Sequence, residues 1–521
     1  MEVLTSKRAM AKRAGVMSFF TFLSRITGLA RDTAIAYFLG AREAADAFYV
    51  AFRIPNLLRR LFAEGNLTVS FVPIFTEYLK KSESEAKRVS DITFTYLTLF
   101  LILLAVSGVV GASWFVKATA YGFNQNPEKF ALTVALTRIT FPYILTISLA
   151  ALCMGILNAR FRFGPSAASP IFMNLGIILF AFGFQKFFDL PSVAISWGVL
   201  LGGALQLLVQ IPYLIKEGFL FKPSFNLLHP GVRRIGKLMV PSIIGSAVYQ
   251  INIFAITFMA SYLPTGSVSF LWYADRIVEF PMGVFAISFA TVALPSFSHL
   301  VAEQKTDALK KSLRDALSLN WFINIPASVG IAAIALPIVV LLFQRGGFDA
   351  EASHQTARTV QYFVLGLPFV SANRILTAFF YSVQESRKPV IAAVAAMIVN
   401  IAVGYSLKDT WLHYGLAFGV AMGSVTNFIG LIWLLHRQVG ALGLGQLGLP
   451  IFKMSLASAF MWLGLWGAEN QLIRFSFSGL WGHLILVLLL MALGVLIYLA
   501  CALLFKIEEL TPVLRRLKRN N

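Results

Sequence analysis

The chain has 521 residues, of which 58% are hydrophobic and only 13% are charged. Because an ordinary soluble domain carries about 25% charged residues, this composition excludes a soluble globular protein. The formal net charge of +20 would suggest nucleic acid as the partner of a soluble protein. In a membrane protein, basic cytoplasmic loops account for it, and we expect no nucleic-acid binding.

Apolar runs separated by polar breaks predict fourteen transmembrane helices, since one crossing needs about 20 apolar residues. The first span has no small-residue cleavage site, so it is interpreted as a retained helix and not as a signal peptide. The second and eighth spans exceed one crossing, which indicates tilt, a kink or an extension beyond the membrane. The predicted limits are 16–40, 46–79, 91–118, 131–158, 168–187, 191–215, 235–262, 268–302, 314–343, 356–384, 389–407, 414–436, 449–471 and 480–505.

Basic residues in the connections define the predicted orientation. In the connections and at the adjoining span ends, 27 Lys and Arg residues lie on the side of the two termini, whereas 8, among them Lys129, lie on the opposite side. Since Lys and Arg concentrate in cytoplasmic loops, we expect both termini in the cytoplasm, and the even number of spans agrees.

An internal repeat divides the chain. Segment 198–206 resembles segment 419–427, which lies 221 positions later, and further matches occur in nearly the same register. Each copy contains six spans, an even number, so both copies have the same orientation in the membrane. We therefore predict an all-α, polytopic membrane protein with two parallel six-helix lobes, 1–225 and 226–440. Residues 441–521 then hold the last two helices and a basic cytoplasmic tail.

Eight arginines that we do not assign to the connections lie within the predicted spans, and five acids lie in spans one, two and eight, away from the cytoplasmic ends. Even if every acid forms an ion pair, three positive charges remain, and each costs about 2.5–3.5 kcal/mol at the centre of a bilayer. A hydrated cavity with surplus positive charge would remove this cost and would suit an anion. Arginine is suited to phosphate, because its planar fork donates two parallel hydrogen bonds and stays protonated. The arginines are Arg25, Arg31, Arg53, Arg59, Arg60, Arg138, Arg276 and Arg374, and the acids are Asp32, Asp46, Glu64, Asp275 and Glu279.

The charged residues concentrate in spans one, two and eight. In span one, Arg25 and Asp32 are seven positions apart and lie on nearly the same helical face. In span two, a polar stripe with a 3-4-4 spacing follows one face of the helix. Its members are Arg53, Asn56, Arg60 and Glu64. The alternative is a set of interhelical ion pairs, which we favour for the isolated Arg138 and Arg374 and leave open for Arg53 and Arg60.

Catalytic motifs are missing from the sequence. No histidine has a metal-ligand spacing with Cys or another His, and there is no phosphate-binding loop rich in glycine. A membrane glycosyltransferase or lipid phosphatase would need clustered acids or a His–acid arrangement, and an exporter of cationic drugs would need surplus acid. We expect a transporter and not an enzyme, with no cofactor and no bound metal.

Five segments resemble those of the MurJ (MviN) family, which belongs to the multidrug/oligosaccharidyl-lipid/polysaccharide (MOP) exporter superfamily. The segments are 23–32 (LSRITGLARD), 46–48 (DAF), 53–65 (RIPNLLRRLFAEG), 71–75 (FVPIF) and 273–276 (YADR). The resemblance implies a MATE-like fold and the flipping of lipid II, the undecaprenyl-pyrophosphate-linked peptidoglycan precursor, from the inner to the outer leaflet of the bacterial cytoplasmic (inner) membrane. It thereby implies a role in cell wall biogenesis and cell shape.

The resemblance also assigns roles to particular residues. It implies that lipid II binds in a central cavity to Arg25, Arg31, Arg59, Arg276, Ser24, Asp32, Asp46, Asn56, Glu64 and Ser269. It implies that the last two helices hold the polyprenyl tail, and that membrane lipids and the cell-wall synthesis machinery are partners. Some relatives have an acid-containing Na⁺ site in the second lobe. Spans seven, eleven and twelve contain no acid here, so we expect no such site.

One alternative stays open on the sequence alone. A flippase for another polyprenyl-pyrophosphate-linked oligosaccharide would need the same arginines, because the lipid pyrophosphate is common to these substrates.

The orientation leads to a first testable prediction. Reporter fusions after Lys81, Pro223 and Lys311 should give a cytoplasmic signal, and fusions near Gln125 and Gly266 should give an external signal, because the basic connections stay inside. Activity of a cytoplasmic and of a periplasmic reporter at each position measures this. The reversed pattern would overturn the orientation and the number of spans together.

Overall fold

The computed structural model describes residues 7–62, 66–283, 287–472 and 479–510. All regular secondary structure in these ranges is helical, which confirms the predicted all-α class. The chain separates into two compact units. The first comprises residues 1–269 with 345–348, and the second comprises 270–344 with 349–521.

The first unit is built from α1 to α11 and contains the start of α12. Their bounds are α1 (Lys7–Leu39), α2 (Glu43–Phe62), α3 (Asn66–Lys81), α4 (Glu83–Val110), α5 (Ala112–Thr119), α6 (Pro127–Thr140), α7 (Tyr143–Ala159), α8 (Phe163–Leu179), α9 (Pro191–Leu208), α10 (Ile211–Lys216), α11 (Pro230–Ala260) and α12 (Ser267–Pro281).

The second unit contains the rest of α12 and the helices α13 to α21. Their bounds are α13 (Ile287–Ala302), α14 (Thr306–Ala333), α15 (Ala335–Phe343), α16 (Ala350–Val364), α17 (Leu367–Ser382), α18 (Arg387–Leu407), α19 (Leu412–Val439), α20 (Gly448–Leu472) and α21 (Gly479–Leu504).

Within the described ranges, ten helices are long and apolar enough to cross a membrane. They coincide with predicted spans three to six and nine to fourteen. Predicted span seven corresponds to two helical segments, Pro230–Ile243 and Ser246–Ala260, which meet at an angle of 45°. The membrane-spanning character of the fold is thus confirmed, and the count of fourteen spans stays a prediction.

Predicted spans one, two and eight do not coincide with any of the described helices that are long and apolar enough to cross a membrane. The charged residues Arg25, Arg31 and Asp32 interrupt the apolar run of α1. Helices α2 and α3 cover most of span two, and α12 and α13 cover most of span eight. The tilt, kink or extension expected for these two spans stays a prediction.

Helices α8 and α9 of the first unit approach each other closely along a line of glycines. A Cβ atom added to Gly176 would lie 2.6 Å from the Cα atom of Gly202, and one added to Gly202 would lie 2.7 Å from the carbonyl oxygen of Met173. Such small residues let the backbones of membrane helices make van der Waals contact. This seam fixes the position of α8, which carries a residue of the candidate site.

The core of the second unit joins the two C-terminal helices to the helices before them. Apolar side chains of α14, α17, α19, α20 and α21 form one buried cluster, which includes Trp321, Phe379, Met461 and Leu490. In addition, the Tyr498 hydroxyl donates a hydrogen bond of 2.9 Å to the Phe322 carbonyl, so α21 is bound to α14.

The two compact units reflect packing, whereas the predicted lobes 1–225 and 226–440 rest on the internal repeat. Their limits stay a prediction.

The glycine seam leads to a stability prediction. Gly202→Ala should destabilise the protein by about 1–3 kcal/mol, because the new methyl group meets backbone atoms that cannot move aside. Thermal unfolding of the purified protein in detergent measures the effect.

Gly236→Ala in α11 is the matched control, since a Cβ atom there has nothing within 4 Å. It should leave stability unchanged or raise it slightly, because alanine favours a helix. Equal unfolding temperatures for both variants would contradict the tight α8–α9 seam.

Candidate substrate-binding site

The first group of site residues links α1 to α8 and is called the Arg31 cluster: Ser24, Thr27, Arg31, Asp32 and Asn174. The Arg31 Nε and Nη2 atoms donate hydrogen bonds of 3.0 and 2.7 Å to Oδ1 of Asp32. The Nη1 atom of Arg31 donates a bond of 3.1 Å to Oδ1 of Asn174. The Asn174 amide donates in turn to the Ser24 carbonyl and to the Thr27 hydroxyl. Three predicted residues, Ser24, Arg31 and Asp32, are thus brought together.

Arg25 lies on the same helix but outside this cluster. Its side chain is exposed, and it forms no ion pair with any residue that the structure describes. Asp32, seven positions later, is buried and pairs with its neighbour Arg31. Arg25 is therefore a cation within predicted span one whose charge no acid of the described residues offsets.

The polar stripe predicted for span two lies on α2, where its described members are partly buried. Arg53 donates a hydrogen bond to the Thr257 hydroxyl of α11, and the Asn56 amide donates to the Phe52 carbonyl at 2.9 Å. Arg59 and Arg60 are half-buried near the end of the helix. Glu64, the fourth member of the stripe, lies outside the described residues.

Asp46 and Ser269 are brought together in a separate, closed cluster. The Asp46 carboxylate is 1% exposed and accepts four hydrogen bonds. Lys129 Nζ donates at 2.7 Å, the Gly266 N–H at 2.8 Å, and the N–H and hydroxyl of Ser269 at 2.9 and 2.6 Å. Asp46 thereby caps the start of α12, where helical N–H groups lack partners within the helix. This geometry favours an anchoring role over direct contact with a substrate.

Lys129 is a member of this cluster that the sequence analysis missed, because it assigned this lysine to an external connection. Its side chain is buried, and its ammonium group also lies 4.2 Å from the centroid of the Phe123 ring. Asp46 and Lys129 are 83 positions apart in the chain. No local spacing connects them, and only the unusual position of an acid within span two indicated a buried partner.

Asn174 is the second residue that was missed. It is 4% exposed on α8, and its only signal in the sequence is an amide within an otherwise apolar span. Arg138 and Arg374, which we expected to form structural ion pairs, are exposed and form none with the residues described here.

In the second unit, Arg276 is held by its own helix. Its Nη1 atom lies 2.8 Å from a Glu279 carboxylate oxygen, and its Nη2 atom lies 3.7 Å from Asp275. The guanidinium carbon lies 4.9 Å from the centroid of the buried Trp272 ring, a cation–π contact. Arg25, Arg31 and Arg59 belong to the first unit, so the convergence of all four arginines stays a prediction.

A family model described as "Lipid II flippase MurJ" matches residues 35–492 of this chain. The chain belongs to the MurJ family. It is 37% identical over 449 residues to the probable lipid II flippase MurJ of Vibrio cholerae serotype O1, which covers 84% of this chain and 85% of that protein. It is 36% identical over 461 residues to the lipid II flippase MurJ of Burkholderia cenocepacia, which covers 87% of this chain and 89% of that protein.

Solved structures give the same classification. A lipid II flippase MurJ in an inward closed conformation has a TM-score of 0.77 and 25% identity, and the match covers 94% of this chain and 98% of that one. An inward-facing MATE family transporter of the MOP superfamily has a TM-score of 0.67 at 16% identity, covering 82% of this chain and 99% of that one. The latter likeness concerns the fold alone. The resemblance to MurJ and the MATE-like fold are thus confirmed.

The Asp46 cluster leads to a prediction on stability. Asp46→Asn should destabilise this MurJ-family protein by about 3–5 kcal/mol, because it leaves the buried Lys129 ammonium without its acid. Lys129→Met should cost less, since the carboxylate keeps three donors. The double variant should lose less than the sum of the two single losses. Unfolding in detergent measures all three, and strictly additive losses would contradict a coupled buried pair.

Proposed function

We propose that this chain flips lipid II from the inner to the outer leaflet of the bacterial cytoplasmic membrane and so supplies precursor for peptidoglycan synthesis. The observation that carries the proposal is the MurJ family match over residues 35–492 of a chain with many membrane helices. The relatives of known name are lipid II flippases, which favours lipid II over another polyprenyl-pyrophosphate-linked oligosaccharide.

The substrate's pyrophosphate is assigned to the arginines. Arg25 is exposed on α1, and no acid of the described residues pairs with it. Arg31 lies on a different face of the same helix, in the Arg31 cluster with Asp32. These three residues together carry one surplus positive charge. Arg59 and Arg276 complete the proposed set, and each can offer a planar fork to phosphoryl oxygens.

The same charge surplus supports alternating access. Repulsion between arginines opposes closure of the lobes around an empty cavity. A bound pyrophosphate offsets that repulsion and lowers the free energy of the closed state, so the substrate shifts the population towards outward opening. No step of this cycle makes or breaks a covalent bond in the lipid, and we therefore class the protein as a transporter.

Orientation and partners form part of the proposal. Both termini lie in the cytoplasm, in line with the basic connections on that side. The surrounding membrane lipids and the enzymes of cell-wall synthesis are the proposed partners.

The prediction for this function concerns the arginines. Arg25→Ala, Arg31→Ala, Arg59→Ala and Arg276→Ala should each fail to complement loss of the protein in cells at normal abundance. Lysine at the same positions should restore growth only partly, because an ammonium group is a point charge without the fork. Growth, with membrane abundance measured in parallel, tests this.

Arg138→Ala and Arg374→Ala are matched controls, since each of these arginines is isolated within its predicted span and does not belong to the proposed set. They should support growth, and any defect should follow a lower abundance. Normal growth of the Arg25→Ala and Arg59→Ala variants at normal abundance would contradict the proposed anion site.

A further inference from the structure

We propose that Asn174 is a positioning residue that fixes the guanidinium group of Arg31 for phosphate binding. The inference rests on the proposed function, because it assumes that Arg31 binds the pyrophosphate. Asn174 does not belong to the residues that the sequence indicated for the site. Its role follows from its contacts in the first unit.

The orientation of the Asn174 amide is determined by its neighbours. Oδ1 lies 3.1 Å from Arg31 Nη1, which can only donate, and Nδ2 lies 3.2 Å from the Ser24 carbonyl oxygen, which can only accept. A flipped amide would place two donors together at one end and two acceptors together at the other. Nδ2 also donates to the Thr27 hydroxyl at 3.1 Å, so the buried amide has one stable orientation.

The hydrogen bond to Asn174 prevents a rotation of the Arg31 guanidinium group that the bonds to Asp32 still permit. Both bonds from Arg31 to Asp32 end on the same oxygen atom, Oδ1. A guanidinium held by one acceptor atom can pivot about it. The third bond, from Nη1 to Asn174, comes from a different helix and fixes the plane of the group.

Two donors of Arg31 then remain for a ligand. A guanidinium has five N–H groups, and three of them are used by Asp32 and Asn174. No further partner of Arg31 occurs among the residues that the structure describes. Phosphoryl oxygens are acceptors that can take both remaining N–H groups at once.

An amide suits this position better than an acid. Asn174 accepts from Arg31 without adding a negative charge, so Arg31 keeps the cationic character that Asp32 only partly offsets. A carboxylate at the same place would add a second acid to Arg31 and would face the Ser24 carbonyl without a donor. The near-isosteric Asn174→Asp change should therefore weaken anion binding even though the side chain still accepts from Arg31.

The experiment measures binding of undecaprenyl pyrophosphate to the full chain in detergent, by native mass spectrometry. Asn174→Leu should weaken binding about tenfold, the effect expected for loss of one hydrogen bond to a charged group. Added to Arg31→Ala, the same change should cause no further loss, because Asn174 acts through Arg31. The Asn174→Asp variant should also bind undecaprenyl pyrophosphate more weakly. It tests the role of Asn174 if the leucine variant does not fold.

One control separates positioning from helix packing. Ser169→Ala alters a buried residue on α8 that bonds to Gln206 and not to α1. This variant should bind normally.

Three outcomes decide between the claims. Normal binding by Asn174→Leu and Asn174→Asp, or losses that add to that of Arg31→Ala, would overturn the role of Asn174. Normal binding by Arg31→Ala itself would instead overturn the proposed anion site.

Discussion

A cation within a membrane span is stable only beside an acid, an aromatic ring or water, and this constraint organises the whole chain. The buried Lys129 forms an ion pair with Asp46 and a cation–π contact with the Phe123 ring. Arg276 forms an ion pair with Glu279 and a cation–π contact with Trp272. The cations on α1 are treated differently, since Arg31 is only partly neutralised and Arg25 is exposed. The structure thus distinguishes Lys129, whose charge holds separate elements together, from Arg25 and Arg31, whose charge is offset only in part.

The constraint also explains which helices hydropathy alone detects. In the described part of the chain, the ten helices that are long and apolar enough to cross a membrane lie outside the charged spans one, two and eight. Asp46 links two of the charged spans, because its carboxylate accepts from the N–H groups of Gly266 and Ser269 at the start of α12. Polar residues therefore determine the chemistry of the candidate site and contacts between the spans that carry it.

Most of the fold could be predicted from the sequence, since an apolar run of the length of a bilayer specifies a helix locally. The limits of the two compact units could not, because they depend on contacts between residues far apart in the sequence. For the site, the arginines were evident as charges within apolar spans. Lys129 and Asn174 were not, since their partners lie 83 and 143 positions away and no local periodicity reports such contacts.

The central claim is that a chain of the MurJ family with this arginine site moves lipid II across the membrane. The most direct measurement is depletion of the protein in growing cells, followed by an assay of how much lipid II is accessible at the outer leaflet. The account predicts that accessible lipid II falls while total lipid II is maintained or rises. Unchanged accessibility after depletion, with no other flippase present, would contradict it.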